Sequence, residues 1–151
     1  MSEVRMPTQK RSIEKKEKII EKGFELMCKN GYYNTNTNDI AKYAEVSTGI
    51  IYQYFNDKKE IFIEGVKNYS DNIMFPMLDV LKRKDKKFDN LEETLDEILD
   101  IFIKKHTLTK KAHEEMIALS HQDEDIAEIF HFKEITMTKQ IVEVLKENGF
   151  E

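Results

Sequence analysis

The chain has no tryptophan, a single cysteine, two prolines and five glycines in 151 residues. The lone Cys28 excludes an internal disulfide and any cysteine-rich zinc site. With so few helix breakers, and no lasting alternation of apolar and polar residues, nothing in the sequence suggests a sheet. No apolar run reaches the about 18 residues that a membrane span requires, so no membrane contact is expected. Met1 to Ser12 is polar and basic with no apolar stretch behind it, which is not the pattern of a secretory signal. A cytoplasmic location is the expectation.

Catalytic machinery is missing as well. No nucleophile–base pair, glycine-rich phosphate loop or metal-ligand cluster is legible. His113, Glu114 and Glu115 come nearest to acid–base groups, but neighbours on a helix do not converge on one substrate. His106, His113, His121 and His131 are spaced too widely for a compact metal motif. No catalytic residue, metal or cofactor is assigned, and an enzyme is not the expected class.

Charge is unevenly spread. Residues 1–60 hold 11 Lys/Arg against 9 Asp/Glu, and residues 61–151 hold 13 against 20, within a net charge of −5. A mildly basic front on an acidic body fits a small DNA-contacting head followed by a part that does not touch DNA.

Helical periodicity fills the chain. A first helix is predicted from near Ser12 to Asn30, striped by Ile20, Phe24 and Met27 and stopped by Gly31. Asn36 with Asp39 forms a capping-box start for a second, about Thr37 to Ala44, and Ser47 caps a third, about Thr48 to Phe55. Asp57 with Glu60 opens a long fourth helix with the stripe Phe62, Val66, Tyr69, Ile73, Met77 and Leu81, kinked at Pro76. Asp89 with Glu92 caps a fifth, striped by Leu91, Leu95, Ile98 and Phe102, after a solvated connection over 82–88. A sixth passes through Ala112, Met116 and Leu119. A seventh, about Asp123 to Glu147, carries Ile126, Phe130, Met137, Ile141 and Val144. The fold class is all-α, with a domain boundary predicted between residues 56 and 57.

The second and third helices have the chemistry of a helix-turn-helix, in which one short helix enters the major groove and another braces it. Ile40, Ala41, Ala44, Val46, Ile51 and Phe55 supply the apolar crossing, and Ala41 is small enough for close approach. The outer face of the third helix is then the reading surface. Thr48 can donate or accept at a base edge, Ile50 can pack on a thymine methyl, and Gly49 permits close approach. Ser47 stands at the start of this helix, and Tyr52, Gln53, Tyr54 and Lys58 carry polar tips suited to phosphate oxygens. Thr35 and the N-terminus of the second helix can hold a further phosphate through free backbone N–H groups.

In order and spacing, Gly31-Tyr32, Thr35, Asp39-Ile40-Ala41, Ala44, Val46-Ser47, Gly49, Ile51-Tyr52, Tyr54-Phe55, Lys58 and Ile61-Phe62 resemble the DNA-binding signature of TetR-family transcription regulators. The likeness covers about residues 13–62. It departs at Glu45, where the family usually has glycine, and at Thr37, where an apolar residue is usual. The resemblance implies an N-terminal helix-turn-helix domain, 1–56, and a helical effector-binding and dimerisation domain, 57–151. It implies contact with double-stranded DNA at a palindromic operator, a homodimer, and release by a small apolar or amphipathic effector that moves the fourth helix. Candidates to line an effector pocket are Tyr69, Ile73, Met74, Met77, Phe102, Met116, Phe130 and Met137.

The family's dimer is usually built from two further C-terminal helices, and this sequence stops where they would begin. A short member dimerising through other faces, or a truncated regulator with an open apolar face on its fifth to seventh helices, are the two expectations. A DNA-binding module without effector control, constitutive or truncated, is therefore the alternative to the effector-released repressor.

Overall fold

The computed structural model describes residues 5–83 and 91–149, which form seven helices with no strand among them. In chain order these are α1 (Arg5–Asn30), α2 (Thr37–Tyr43), α3 (Thr48–Tyr54), α4 (Lys58–Leu81), α5 (Leu91–Lys105), α6 (Lys110–Gln122) and α7 (Glu124–Glu147). The predicted Asp89 cap and most of the 82–88 connection lie outside the described residues. The chain divides into two compact units, Met1–Val66 and Lys67–Glu151. This division falls inside α4 rather than before it, because Ile61, Phe62 and Val66 are buried in the core of the first unit.

In that first unit the α1 stripe behaves as its spacing predicts: Ile20, Phe24 and Met27 are all buried, with Ile19 and Leu26 beside them. Gly31 ends α1 with a φ of 96°, a left-handed turn that other residues resist. α2 opens on a complete capping box, Asp39 N–H to Asn36 Oδ1 at 2.9 Å and Asn36 N–H to Asp39 Oδ2 at 3.0 Å. α1 and α4 meet where glycine removes the side chain. A Cβ on Gly65 would lie 2.4 Å from Phe24 Cβ, and one on Gly23 would lie 2.7 Å from Ile61 Cγ2. The first turns of α4 are thereby locked onto α1.

Two details of α4 correct the sequence reading. Glu60 N–H donates to Asp57 Oδ1 at 3.0 Å, but the Glu60 carboxylate reaches Asn56, accepting from its backbone N–H at 2.8 Å and its side-chain amide at 2.7 Å. The reciprocal capping partner is thus Asn56, one residue earlier than predicted. Beyond Val66 the buried line runs through Met74 and Leu78, while Tyr69, Ile73, Met77 and Leu81 are only half-buried. Each half of α4 packs into its own unit, so one unbroken stripe does not serve both.

In the second unit, Ala112, Met116 and Leu119 of α6 are buried as predicted, with Ile126, Ile129 and Val144 of α7. Thr109 caps α6 through Ala112 N–H at 3.2 Å, and Asp123 caps α7 through Asp125 and Ile126 N–H at 3.0 and 3.3 Å. Phe130, Met137 and Ile141 of the predicted α7 stripe are half-buried. Lys133 and Asp71 form an ion pair between α7 and α4. α5 departs from expectation: none of its side chains is buried, and Leu91, Leu95 and Phe102 of its stripe remain 50%, 50% and 41% exposed. Amphipathic spacing makes the helix but does not by itself supply a surface to cover it.

Candidate nucleic-acid interface

α2 and α3 are joined by four residues, Ala44-Glu45-Val46-Ser47. Val46 N–H donates to Ala41 O at 3.0 Å, and Ala44 N–H donates to Ile40 O at 2.8 Å. Glu45 takes the left-handed conformation, φ 57°, despite its side chain. The departure from glycine therefore leaves the turn geometry intact and stores strain of roughly 1–2 kcal/mol. Its carboxylate is met by Lys18 Nζ at 3.2 Å, which offsets the negative charge at this edge. Ile40, Ala41, Ala44, Ile51 and Phe55 are buried at the crossing. Tyr43 pins α2 to α1, its hydroxyl donating to Glu25 Oε1 at 2.6 Å, and Lys22 reaches the same carboxylate at 3.1 Å. The Tyr43 hydroxyl, and then Lys22, hold the Glu25 carboxyl below the usual carboxylate range.

This framework presents one side of α3 outward. Ser47, Gly49, Tyr52 and Gln53 are exposed; Thr48, Ile50 and Tyr54 are half-buried at the flanks. Ser47 caps the helix, its Oγ accepting from Ile50 N–H at 3.2 Å. A Cβ built on Gly49 would find only Ser47 Oγ, at 3.8 Å, so the surface there is open. The Tyr54 hydroxyl lies 2.9 Å from Ser12 Oγ and ties α3 to α1, a partner 42 residues away that no local pattern announces. Lys42 is an exposed cation in the last turn of α2.

Two predicted phosphate contacts are corrected. Thr35 is only 1% exposed, its hydroxyl donates to Gly31 O at 2.8 Å, and its N–H donates to Tyr32 O at 3.4 Å. It has no group to offer a phosphate; it closes the α1–α2 loop. Lys58 is half-buried, and its ammonium donates to Tyr32 O at 2.6 Å and Thr35 O at 2.9 Å while sitting 4.3 Å from the Tyr32 ring centroid. Burial pushes this ammonium below the usual lysine range. Its side chain clamps the loop rather than reaching outward. Thr37, the other departure, is half-buried in the first turn of α2.

The candidates for an effector pocket all lie in the second unit. Met74 and Met116 are core residues; Tyr69, Ile73, Met77, Phe130 and Met137 are half-buried. Phe102 is exposed, with its ring 5.0 Å from that of His106. His106 also lies 6.2 Å from the Tyr69 ring and 5.7 Å from His113. The Tyr69 hydroxyl accepts from Leu108 N–H at 3.2 Å. The loop between α5 and α6 thus gathers two imidazoles that lie seven positions apart in sequence. Among the described residues no group of three or more metal-ligating side chains occurs, and no helix is long and apolar enough to cross a membrane.

The sequence profile of the bacterial regulatory proteins of the TetR family matches residues 19–64, the span that runs from α1 through α3 into α4. The HTH-type transcriptional regulator HbdR of Aromatoleum sp. (strain CIB) is 45% identical over 58 residues, 38% of this chain and 25% of that protein. IcaR of Staphylococcus aureus, a negative transcriptional regulator of a biofilm operon, is 36% identical over 62 residues, 39% of this chain and 33% of its own. The fold extends further than the sequence likeness. The crystal structure of a protein assigned to TetR-type regulators, from Mesorhizobium loti, superposes with a TM-score of 0.73 at 20% identity, covering 92% of this chain and 71% of that one. The chain spans from 25% to 54% of the length of the curated relatives it matches.

Proposed function

The chain belongs to the TetR family of DNA-binding transcription regulators, and from that premise we propose that it is a repressor released from a palindromic operator by a small-molecule effector. The observation that carries the DNA-binding surface is the outward face of α3. Ser47, Thr48, Gly49, Ile50, Tyr52 and Gln53 stand on one rigid short helix, braced from behind by Ile40, Ala41, Ala44 and Ile51. In this role Thr48 and Ile50 meet base edges, while Tyr52 and Tyr54 meet phosphates at the groove walls. Two such helices in a homodimer must stand about 34 Å apart to reach successive major grooves, so the operator is palindromic.

Release follows from α4, which is locked to α1 at Gly65 and from Lys67 onward belongs to the second unit, with Pro76 inside that part. An apolar or amphipathic effector held among Tyr69, Ile73, Met77, Phe130 and Met137 needs only to favour a mis-spaced state by a few kcal/mol. The exposed apolar face of α5 supports a second reading, a DNA-binding module without effector control, because it leaves part of the body's apolar surface unpacked.

Fluorescence anisotropy of the purified chain on DNA upstream of its own gene, at two salt concentrations and with the mass measured by light scattering, tests the proposal. Tight, salt-sensitive binding by a dimer that prefers this duplex over a scrambled one supports it. Absence of any preference would sink it. Specific binding that no compound in an effector screen weakens would favour the second reading.

A further inference from the structure

The outer face of α3 holds no lysine or arginine between Ser47 and Phe55, so the side chain that most often reads guanine is missing from it. The longest exposed polar side chain at the centre of that face is Gln53. At 3.6 residues per turn it stands about 200° around the helix from Ile51, which is fully buried. It points away from the core more directly than Tyr52 or Ile50, which flank it. Its amide has no hydrogen-bond partner among the described residues, whereas the Tyr54 hydroxyl is engaged by Ser12 and the Ser47 hydroxyl by Ile50 N–H. One turn earlier, on the same line, stands Gly49, with open space where its Cβ would be. Nothing on this line keeps the helix from sitting deep in the groove.

Resting on the regulator reading above, we propose that Gln53 is a base-reading, specificity-determining residue, and that it selects adenine in each half-site. A phosphate contact suits the flanks of a recognition helix, where the groove walls stand; the centre of the outer face meets the groove floor. α3 has seven residues and is about 10 Å long, so Gln53 lies only about 6 Å along the axis from Gly49, on the same outward line. The terminal amide both donates and accepts, matching the N7 acceptor and N6 donor of adenine in a bidentate pair. Ile50 lies one turn back on the adjoining flank and offers an apolar surface to a thymine methyl. The half-site is thus anchored by A·T pairs rather than by a guanine contact from α3.

The test is selection of bound duplexes from a random pool by the full chain, followed by affinities for the selected site and its single-base variants. In the wild type, replacing the anchoring A·T pair by G·C costs about tenfold to a hundredfold in affinity. Gln53→Ala abolishes that discrimination while retaining preference at other positions. Gln53→Arg, also at an exposed position that leaves the fold untouched, shifts selection at the same base pair to guanine. Enriched sites whose preferences do not change in Gln53→Ala and Gln53→Arg would overturn this assignment alone. A pool in which no sequence is enriched would overturn the regulator reading itself.

Discussion

At the scale of single residues, Glu45 shows how the head tolerates a departure from the TetR-family pattern. Glu45 holds a left-handed φ of 57° that glycine adopts without strain. Glu45→Gly is expected to raise stability by about 0.5–1 kcal/mol in chemical denaturation, since the exposed Lys18 contact it forfeits contributes little; a loss of stability would show that the pair outweighs the strain. Lys58 acts in the other direction, drawn inward to two carbonyls and an aromatic face. Two carboxylates set the acid response. The Tyr43 hydroxyl and Lys22 hold Glu25 below its ordinary 4.5, and the side chain and backbone of Asn56 do the same for Glu60. A carboxylate with a lowered folded pKa contributes stability that is present above its unfolded value and lost as pH falls through the folded one. The Tm is therefore expected to drop on acidification below about pH 4.5. The double variant Glu25→Gln/Glu60→Gln should flatten that drop. An unchanged slope in the variant would remove these groups from the account.

At the scale of elements, α4 is the piece that serves two units. Pro76 lacks the N–H that would bond one turn back, so Pro76→Ala is expected to stabilise the chain by about 1–3 kcal/mol. It should keep DNA affinity and reduce the response in an effector titration; an unaltered response would free Pro76 of any part in signalling. Much at this scale was legible in the sequence, because it depends on near neighbours. The α1 and α6 stripes, the Asn36–Asp39 capping box and the Ser47 cap all join residues three or four apart. What was not legible depends on distant partners. Lys58 meets carbonyls 26 and 23 residues away, an inward use of the ammonium that local spacing does not show, and Tyr54 meets Ser12 across 42. α5 marks the opposite limit. Its spacing gives the right helix, but spacing does not reveal whether another surface covers it.

At the scale of the whole molecule, a helix-turn-helix unit is followed by a helical unit with apolar surface open on α5. Leu95 and Leu99 are 50% and 55% exposed on α5, flanked by Leu91 and Ile103, an apolar face suited to the homodimer proposed above. The double variant Leu95→Glu/Leu99→Glu is expected to weaken self-association at least about tenfold by light scattering with little change in Tm; unchanged assembly would place the contact elsewhere. The central claim, that the outer face of α3 reads DNA, is tested most directly by anisotropy on the preferred duplex and a scrambled one with Tyr52→Phe and Thr48→Ala. Tyr52→Phe should weaken binding to both duplexes alike, because phosphate contacts carry no sequence information, whereas Thr48→Ala should weaken the preferred duplex alone. If both variants bind both duplexes as the wild type does, α3 is not the reading helix.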